Sequence, residues 1–460
     1  MKSHSQRIIF GLLLPVVAAV VLSCAGRQET DEQRRAAIAD HMETILEHEM
    51  LARWYPLVVD SVSGGYLTDF DYRWEPDGPQ TKMIVTQARH IWTTARAAGF
   101  TGDTARYVPL AAHGFRFLRD RMWDREYGGF YNLVNRAGEV IPDNDGEIRK
   151  LAYGNAFAIY GLAAYYRVSG DGAALHLAQE AFQWLEDHSH DPDYGGYFQF
   201  LRRDGQPFPD GFGGTPPKDQ NSSIHLLEAL TELYQVWPDD LVRKRLTEML
   251  RLVRDTMIHP RGYLQLFFQR DWTPVSYRDS SAAVRETHYN LDHVSFGHDI
   301  ETAYLMLEAS HVLGVGNDST TLRIGKKMVD HALQNGWDTR AGGFYDRGYY
   351  FPGADTLTII RDTKNWWAQA EGLNSLLLMS DLFPADPWEY YQKFLTQWHY
   401  VDTNLIDHRY GGWYSGGLDK ELDLRTAKKS HIWKGAYHTV RAMVNCIQRL
   451  QGHAVEYTRH

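Results

Sequence analysis

Two histidines in the chain are each followed by a glutamate three residues later. His225 precedes Glu228, and His298 precedes Glu301. Residues three apart share one face of an α-helix, so each carboxylate can hold its imidazole in one tautomer and tune its basicity. A third histidine, His438, stands at the start of another helical stretch. Imidazoles arranged in this way perform general acid–base chemistry.

The three histidines fall at equivalent points of a repeating pattern, and so do other residues suited to contact a substrate. Each of these points is where a helical stretch begins. If the stretches form a closed ring, equivalent positions face one another across one mouth. The further residues brought there are Arg89, Tyr153, Asn155, Asn221, Trp366, Glu371 and Trp433.

Other chemistries fit these residues less well. The His/Glu pairs could serve as metal ligands, but the HExxH spacing of zinc enzymes is absent, and we predict no metal site. Glycoside hydrolysis needs two opposed carboxylates, for which Asp292, Asp299 and Glu371 are available. A barrel glycosidase stays open as a rival, although glycosidases rely on acids rather than paired imidazoles. The sequence contains neither a phosphate-binding glycine loop nor a dinucleotide fingerprint.

The repeating pattern is a diglycine followed by an aromatic residue. A weaker sixth copy reads Arg-Gly-Tyr at 261–263. Successive copies lie about 64 to 69 residues apart, except for one interval of about 81 that marks an insertion near residues 268–290. A fixed period of this length indicates stacked supersecondary units that fill the chain. The strong copies are Gly64-Gly65-Tyr66, Gly128-Gly129-Phe130, Gly195-Gly196-Tyr197, Gly342-Gly343-Phe344 and Gly411-Gly412-Trp413.

Between the glycine turns the sequence alternates between two kinds of helix. Stretches 156–166, 226–234 and 303–313 are apolar on nearly all sides, as buried helices are. Segments 173–188 and 241–257 are amphipathic. We therefore predict an all-α fold, an (α/α)6 barrel of six helical hairpins with short β-hairpins at the glycine turns. An open α-solenoid is the alternative, but solenoids seldom bury helices so completely.

The composition excludes some functions and leaves others open. A formal net charge of −10 does not fit a nucleic-acid-binding protein, which needs a basic face. The 14 tryptophans and 27 tyrosines fill helical cores and also offer flat platforms for sugar rings. We expect a monomer with no nucleic-acid partner.

The N-terminus has the features of a bacterial lipoprotein signal. Lys2 and Arg7 precede an apolar run of about 15 residues, which is short for a membrane span of about 20. Cys24 follows the small residue Ser23, as the lipidated cysteine of a lipobox does. We therefore expect a lipid anchor on Cys24 in the cell envelope, periplasmic or at the cell surface; an ordinary signal peptide or membrane anchor is the alternative. The predicted domains are a signal peptide at 1–23, a tether at 24–37 and a catalytic barrel at 38–460.

Several motifs in these regions resemble those of a known enzyme family. The run FGHDIE at 296–301 is similar to the GHDIE signature of the N-acylglucosamine 2-epimerase superfamily, particularly of its cellobiose 2-epimerases. The runs KNWWAQAE at 364–371 and WKGAYHTVR at 433–441 resemble two further motifs of that family. Segments 87–92 and 153–160 match as well, so that the resemblance covers nearly the whole mature chain.

The resemblance implies a fold, an activity and a set of roles. It implies an (α/α)6 barrel, no metal or organic cofactor, and removal and return of a proton at C2 of a sugar. Carried over by motif, His298 and His438 are the acid–base pair, and Arg89 steadies the enediolate. Glu301 supports His298. The residues expected to hold the oligosaccharide or monosaccharide substrate are Asn221, His225, Trp366, Trp433, Glu371, Tyr153 and Asn155.

The predicted function is a sugar 2-epimerase that interconverts glucose and mannose at the reducing end of β-linked disaccharides such as cellobiose or mannobiose. Two departures from the family pattern concern the substrate: Ser223 replaces a further histidine, and Gly435-Ala436 replaces the usual Cys-Pro. An aldose–ketose isomerase of the mannose type is one alternative. A non-catalytic glycan-binding lipoprotein is the other.

The insertion near residues 268–290 has two interpretations. It carries Trp272, Tyr277 and Arg278 just before the histidine motif of the fourth repeat. It is expected either to cap the mouth and contact a second sugar unit, or to form a disordered surface loop.

Overall fold

The computed structural model describes residues 30–143, 145–315 and 318–453. Cys24 and the predicted signal peptide lie outside the described residues. The first helix begins at Asp31, where Thr30 and Gln33 form a capping box. The barrel therefore starts within the segment predicted as a tether, and the predicted boundary at residue 38 is too late. Of the described helices, none is both long and apolar enough to cross a bilayer.

Helices account for most of the described chain, and short strands stand between them. Three π-helical segments extend helices, at Leu46–Leu51, Leu118–Met122 and Leu252–Met257, and a 3-10 helix spans Leu422–Thr426. The α-helices are α1 (Asp31–Ile45), α2 (Ala52–Trp54), α3 (Ile84–Thr101), α4 (Thr104–Phe117), α5 (Ala152–Ser169), α6 (Gly172–His188), α7 (Gln220–Val236), α8 (Asp240–Arg251), α9 (Ala282–Asp292), α10 (Phe296–Val312), α11 (Ser319–Gly336), α12 (Trp366–Leu382), α13 (Tyr390–Asn404) and α14 (Tyr437–Leu450). The strands are β1 (Lys82–Met83), β2 (Leu133–Val134), β3 (Arg149–Leu151), β4 (Phe200–Arg202), β5 (Lys218–Asp219), β6 (Phe267–Phe268), β7 (Val294–Ser295), β8 (Arg347–Tyr349) and β9 (Thr358–Arg361).

Six helices form a closed inner ring. Going round it, α3, α5, α7, α10, α12 and α14 each contact the next, and α14 contacts α3 again. The outer helices α4, α6, α8, α11 and α13 each pack against the inner helix that precedes them, while α1 covers α14. The closed ring confirms the (α/α)6 barrel and excludes the open solenoid.

The burial of the inner helices follows from their composition. Helix α5 buries every residue from Ala152 to Tyr165, because small and aromatic apolar residues occur on all its sides. Helix α8 buries only one stripe, Val242, Leu246, Met249 and Leu250, as an amphipathic outer helix does. The two kinds of helix predicted from the sequence are therefore both present.

Short antiparallel strand pairs connect successive repeats at one end of the barrel. Strand β1 pairs with β2, β3 with β4, β5 with β6, and β7 with β8. The first strand of each pair runs directly into an inner helix, so the ladders fix where α3, α5, α7 and α10 begin. The N-terminal ends of these inner helices consequently lie at the same end of the barrel.

A buried lysine forms an ion pair with an aspartate at each of the five strong glycine turns. In the second repeat, Lys150 pairs with Asp124 at 3.0 Å and donates to the Gly128 carbonyl and to the Arg203 carbonyl at 2.7 Å. Arg203 and Lys150 hold the pKa of the buried Asp124 carboxyl near 2 despite the opposing effect of burial. The other pairs are Lys82 with Asp60, Lys218 with Asp191, Lys364 with Asp338 and Lys429 with Asp407.

The second glycine turn shows why both of its residues are glycine. Gly128 and Gly129 have φ angles of +68° and +69°, a region that other residues rarely adopt. A Cβ atom at either position would lie within 2.8 Å of the Trp184 indole. The neighbouring repeat therefore packs directly onto the bare backbone of the turn.

The insertion is ordered and contains helix α9. Tyr277 stacks on His288 with ring centroids 4.1 Å apart, and Arg278 donates to the Tyr263 hydroxyl at 2.5 Å. Trp272 is buried, and its indole N–H donates to the Tyr194 carbonyl at 3.0 Å. The disordered-loop interpretation is therefore wrong, and Trp272 seals the third glycine turn rather than capping the mouth.

Candidate active site

Three inner helices present histidines within their first two turns. His225 is the sixth residue of α7, His298 the third of α10 and His438 the second of α14. All three side chains are largely buried. The three histidines therefore lie at equivalent positions at one end of the ring, as the sequence predicted.

The imidazoles of His298 and His438 both contact one indole. Their ring centroids lie 4.7 Å and 5.7 Å from that of Trp367, which comes from α12 between their helices. Neither Nε2 atom has a hydrogen-bond partner among the side chains and backbone of the described residues. Two imidazoles therefore flank one aromatic wall, each with a nitrogen available to a substrate.

Glu371 determines the tautomer of His438. Its carboxylate lies 2.7 Å from Nδ1 of His438. A carboxylate only accepts, so Nδ1 carries the hydrogen and Nε2 keeps its lone pair. Burial lowers the pKa of His438 well below its usual value, and Arg89 and Arg441 lower it further against the opposing effect of Glu301. His438 is therefore neutral at physiological pH and is arranged as a base.

The second imidazole is held by a serine rather than by the predicted glutamate. Nδ1 of His298 and the hydroxyl of Ser295 are hydrogen-bonded at 2.7 Å. Burial lowers the pKa of His298 to about 4, and the charge of Glu301 opposes this only in part. The expectation that Glu301 holds His298 directly is corrected, because Glu301 binds Arg441 instead.

One buried arginine joins three glutamates beneath the histidines. Arg441 donates to Glu228, Glu301 and Glu371, which come from α7, α10 and α12. Sequence reasoning did not single out Arg441, although it lies three residues after His438 and hence on the same helical face. Its guanidinium sets the positions of the carboxylates that orient two of the histidines.

The same network accounts for the third histidine. Nδ1 of His225 lies 2.8 Å from Glu228, as the three-residue spacing predicted. Arg441 and His225 hold the pKa of Glu228 near 2 in spite of its complete burial. The His225 ring packs against Phe157 and Tyr153, with centroids 4.7 Å and 5.4 Å away.

Glu301, Glu371 and His438 also have the ligand atoms of a metal site within 4.8 Å of one another. The Arg441 guanidinium already hydrogen-bonds to both carboxylates. A divalent cation placed among them would meet this fixed positive charge at contact distance. The donor set therefore fits the guanidinium better than a metal ion.

Among the described residues, no carboxylate forms an ion pair with the Arg89 guanidinium. It donates to the Tyr153 hydroxyl at 3.0 Å and lies over the rings of Phe157 and Tyr437, 4.3 Å and 4.8 Å from their centroids. Its Nε atom is buried and has no partner within the described part of the chain. A buried cation of this kind is suited to stabilise an oxyanion.

Asn221 lies at the same wall, as predicted. It is the second residue of α7 and is half-buried. Its side chain interacts with the Tyr153 hydroxyl and lowers the pKa of Tyr153, against the larger opposing effect of burial. Tyr153 and Asn221 thus stand beside Arg89 with polar atoms that a substrate can reach.

Asn155 is a structural residue, and its predicted contact with substrate is wrong. Its amide oxygen accepts from the Phe130 backbone N–H at 2.9 Å, and its amide nitrogen donates to the Leu151 carbonyl at 2.9 Å. The residue is 0% exposed. Three other glycine turns have the same hydrogen bond from a backbone N–H to a side-chain oxygen of the following inner helix. The pairs are Tyr66 with Gln87, Leu264 with Asp299 and Phe344 with Gln369.

The carboxylates considered for glycoside hydrolysis are all engaged. Asp299 accepts from the Leu264 backbone at 2.8 Å. Asp292 accepts from the Tyr349 hydroxyl at 2.9 Å. Glu371 is bound to Arg441 and His438. They therefore do not form the opposed acid and base that a glycosidase requires.

Two of the predicted substrate-binding tryptophans lie at the rim of the site. The Trp433 side chain is 49% exposed, although it is a large apolar residue. Trp366 is half-buried, with its indole edge-on to the His431 ring at 6.1 Å. Exposed indoles beside a polar site are typical platforms for a sugar ring.

Comparison with known sequences identifies the family. The profile of the N-acylglucosamine 2-epimerase (GlcNAc 2-epimerase) family matches residues 65–442. The chain belongs to this family. Cellobiose 2-epimerase of Bacteroides fragilis is 29% identical over 427 residues, which cover 89% of this chain and 100% of the relative. D-mannose isomerase of Marinomonas mediterranea is 25% identical over 417 residues, covering 89% of this chain and 98% of the relative.

A solved structure agrees with this assignment. Cellobiose 2-epimerase from Bacillus thermoamylovorans superposes with a TM-score of 0.77 at 25% identity, covering 90% of this chain and 99% of that one. Members of the N-acylglucosamine 2-epimerase family act on sugars as epimerases or isomerases. The protein is therefore a carbohydrate epimerase or isomerase with an (α/α)6 barrel.

Proposed function

We propose that the enzyme inverts C2 at the reducing end of a β-linked disaccharide, interconverting glucose and mannose as in cellobiose or mannobiose. The observation that carries this proposal is the pair His298 and His438, which both contact the Trp367 indole and whose Nε2 atoms form no hydrogen bond with the described residues. Inversion at carbon needs a base on one side and an acid on the other.

The reaction starts on the open-chain aldose. Nε2 of one imidazole takes the hydrogen from C2, and the electron pair of the C–H bond moves into an enediolate. Arg89 meets the negative oxygen and stabilises it by about 3 kcal/mol, as an oxyanion-hole donor does.

Return of the proton completes the inversion. The charge of the enediolate raises the pKa of the second imidazole, which takes a proton from water and delivers it to the other face of C2. The first imidazole then loses its proton to solvent, so that charges and atoms balance. The hydrogen at C2 of the product therefore comes from water.

The two tryptophans at the rim of the site favour a disaccharide over a single sugar as the substrate. Trp433 and Trp366 lie outside the acid–base pair and would contact the second sugar unit while the reducing end reaches His438. An aldose–ketose isomerase is the second candidate, and it is favoured by the similarity to a D-mannose isomerase. It shares every step except that the proton returns to C1.

Isotope labelling separates these reactions. The enzyme is incubated with cellobiose, mannobiose and mannose in heavy water, and deuterium is located by NMR. We expect label at C2 of the epimerised disaccharide. Ketose carrying label at C1 would instead establish the isomerase, and no label in any sugar would favour the glycan-binding lipoprotein.

We also propose that Cys24 is lipidated and anchors a monomeric enzyme in the cell envelope, on the strength of the lipobox-like run before it. Fractionation of cells expressing the wild-type chain and Cys24→Ala tests this. The wild type is expected in the membrane fraction and the variant in the soluble fraction. Equal distribution of the two would remove the anchor.

A further inference from the structure

A second cavity lies at the opposite end of the barrel from the histidines. Its volume is about 210 Å³. It is lined by the C-terminal halves of the inner helices, for example by Arg96 of α3, Glu232 of α7 and Glu308 of α10. Gly99, Arg167 and Gln235 at its edge are exposed, so the cavity opens to solvent. Neither the family assignment nor the proposed reaction gives it a role.

The distal cavity is lined by charged groups of both signs. Arg167 pairs with Glu232 at 2.8 Å. Arg96 donates to two amide oxygens among the described residues, to Asn445 at 3.1 Å and to Gln448 at 2.9 Å. The remaining carboxylate, Glu308, offsets the Arg96 charge only in part near neutral pH, because burial raises its pKa to about 7. An anion in the cavity would meet Glu232 and Glu308, and a cation would meet Arg96 and Arg167.

The two other arginines that line the cavity are already neutralised. Arg441 is held by three glutamates, and Arg449 faces Asp381 at 3.5 Å. The cavity as a whole is thus suited to a neutral ligand.

The polar groups that line the cavity include both donors and acceptors. The Arg96 guanidinium and the amides of Asn445 and Gln448 donate, while Glu232 accepts. Burial and the neighbouring Glu228 and Glu232 charges raise the pKa of Glu308 to about 7, so that its carboxyl both donates and accepts near neutral pH. Hydroxyl groups, which are donors and acceptors at once, are the natural partners of such a lining.

Three aromatic side chains also line the cavity. Trp92 and Tyr160 stack with centroids 5.2 Å apart, and Tyr304 lies beside Asn445, which donates to its hydroxyl at 3.1 Å. Aromatic side chains combined with polar groups are suited to contact a sugar ring. The volume is below the roughly 300 Å³ at which sites for drug-sized ligands begin, so the ligand is small.

We infer that the distal cavity is a binding site for a single neutral sugar ring or a polyol of that size, separate from the active site. Arg441 connects the two, because it borders the cavity and binds the glutamate that orients His438. The inference does not depend on which sugar the active site transforms.

The test uses methyl α-D-glucopyranoside, whose anomeric oxygen is blocked so that its ring does not open for epimerisation. Binding is followed by calorimetry on the wild type and on Gly99→Tyr. A Cβ at Gly99 meets only Val168, at 4.0 Å, so the tyrosine is accommodated and covers the opening. Gly172→Tyr, at an exposed helical glycine with open space around it and outside the cavity, is the matched control.

We expect saturable binding that weakens at least about tenfold in Gly99→Tyr and is unchanged in Gly172→Tyr. Arg96→Met, in which the central donor is lost without burying a new charge, should weaken it similarly and serves if Gly99→Tyr does not fold. Sodium acetate and methylammonium should not compete. Absence of saturable binding, equal affinity in the folded variants, or displacement by either ion would overturn the inference.

Discussion

At the scale of single residues, the chemistry depends on which nitrogen of each imidazole carries the hydrogen. Glu371 gives His438 a free Nε2 lone pair, while Ser295 holds Nδ1 of His298. The sequence predicted the histidines and Arg89 because they occur in motifs with fixed spacing. It did not predict Ser295, which lies only three residues before His298, or Arg441, because the three glutamates that Arg441 binds lie on other helices and have no characteristic spacing to it in the chain.

Replacing Glu371 tests the tautomer. In Glu371→Gln the amide can donate to Nδ1 of His438, which moves the hydrogen to Nε2 and removes the base. We expect kcat to fall about 10²- to 10⁴-fold with a smaller change in KM. The control is Glu186→Gln, since Glu186 is also buried but binds Tyr197 and Arg245 on the outer side of the barrel. A kcat of Glu371→Gln equal to that of this control would refute the role.

At the scale of elements, the site is positioned by hydrogen bonds between four of the six glycine turns and the inner helix that follows each of them. Gln87, Asn155, Asp299 and Gln369 each accept a backbone N–H of the turn. The diglycine period revealed the six repeats, and helical patterning revealed the barrel. Asn155 shares the position of the true site residues in its repeat, so the sequence predicts a contact with substrate there, and only the direction of the side chain separates the two groups.

Two asparagines test this distinction. Asn155→Ala leaves the Phe130 N–H without a partner, so we expect a loss of about 1–3 kcal/mol in the free energy of unfolding with KM unchanged. Asn221→Ala should do the reverse, raising KM with little change in stability. Urea denaturation and steady-state kinetics on both variants measure this. A raised KM in Asn155→Ala at wild-type stability would restore Asn155 to the substrate site.

At the scale of the whole molecule, closing the ring buries several histidines in the neutral form. Burial lowers the pKa of His90, which hydrogen-bonds to Tyr55 inside the barrel wall, to about 3. The unfolded chain takes up a proton on this residue below about pH 6.5, and the folded chain does not. The contribution of neutral His90 to the free energy of unfolding is therefore complete above that pH and is lost as the pH falls. This burial could not be predicted from the sequence, because it depends on closure of the ring.

A pair of variants isolates that contribution. Between pH 7 and pH 5 the buried imidazole should cost about 2 kcal/mol of unfolding free energy. His90→Phe removes the titrating group, so its loss over this interval should be smaller than that of the wild type by this amount. His176→Phe, at a side chain that is 72% exposed, should lose as much as the wild type. Identical losses in all three proteins would show that His90 is not held neutral.

The two-imidazole account is tested most directly by hydrogen exchange at C2 in heavy water, catalysed by His298→Ala and by His438→Ala. Each variant keeps one base, on one face of the sugar. We predict that neither interconverts the epimers, and that each still exchanges the C2 hydrogen of one epimer, a different one for each variant. Interconversion of the epimers at the wild-type rate by either variant would contradict the account.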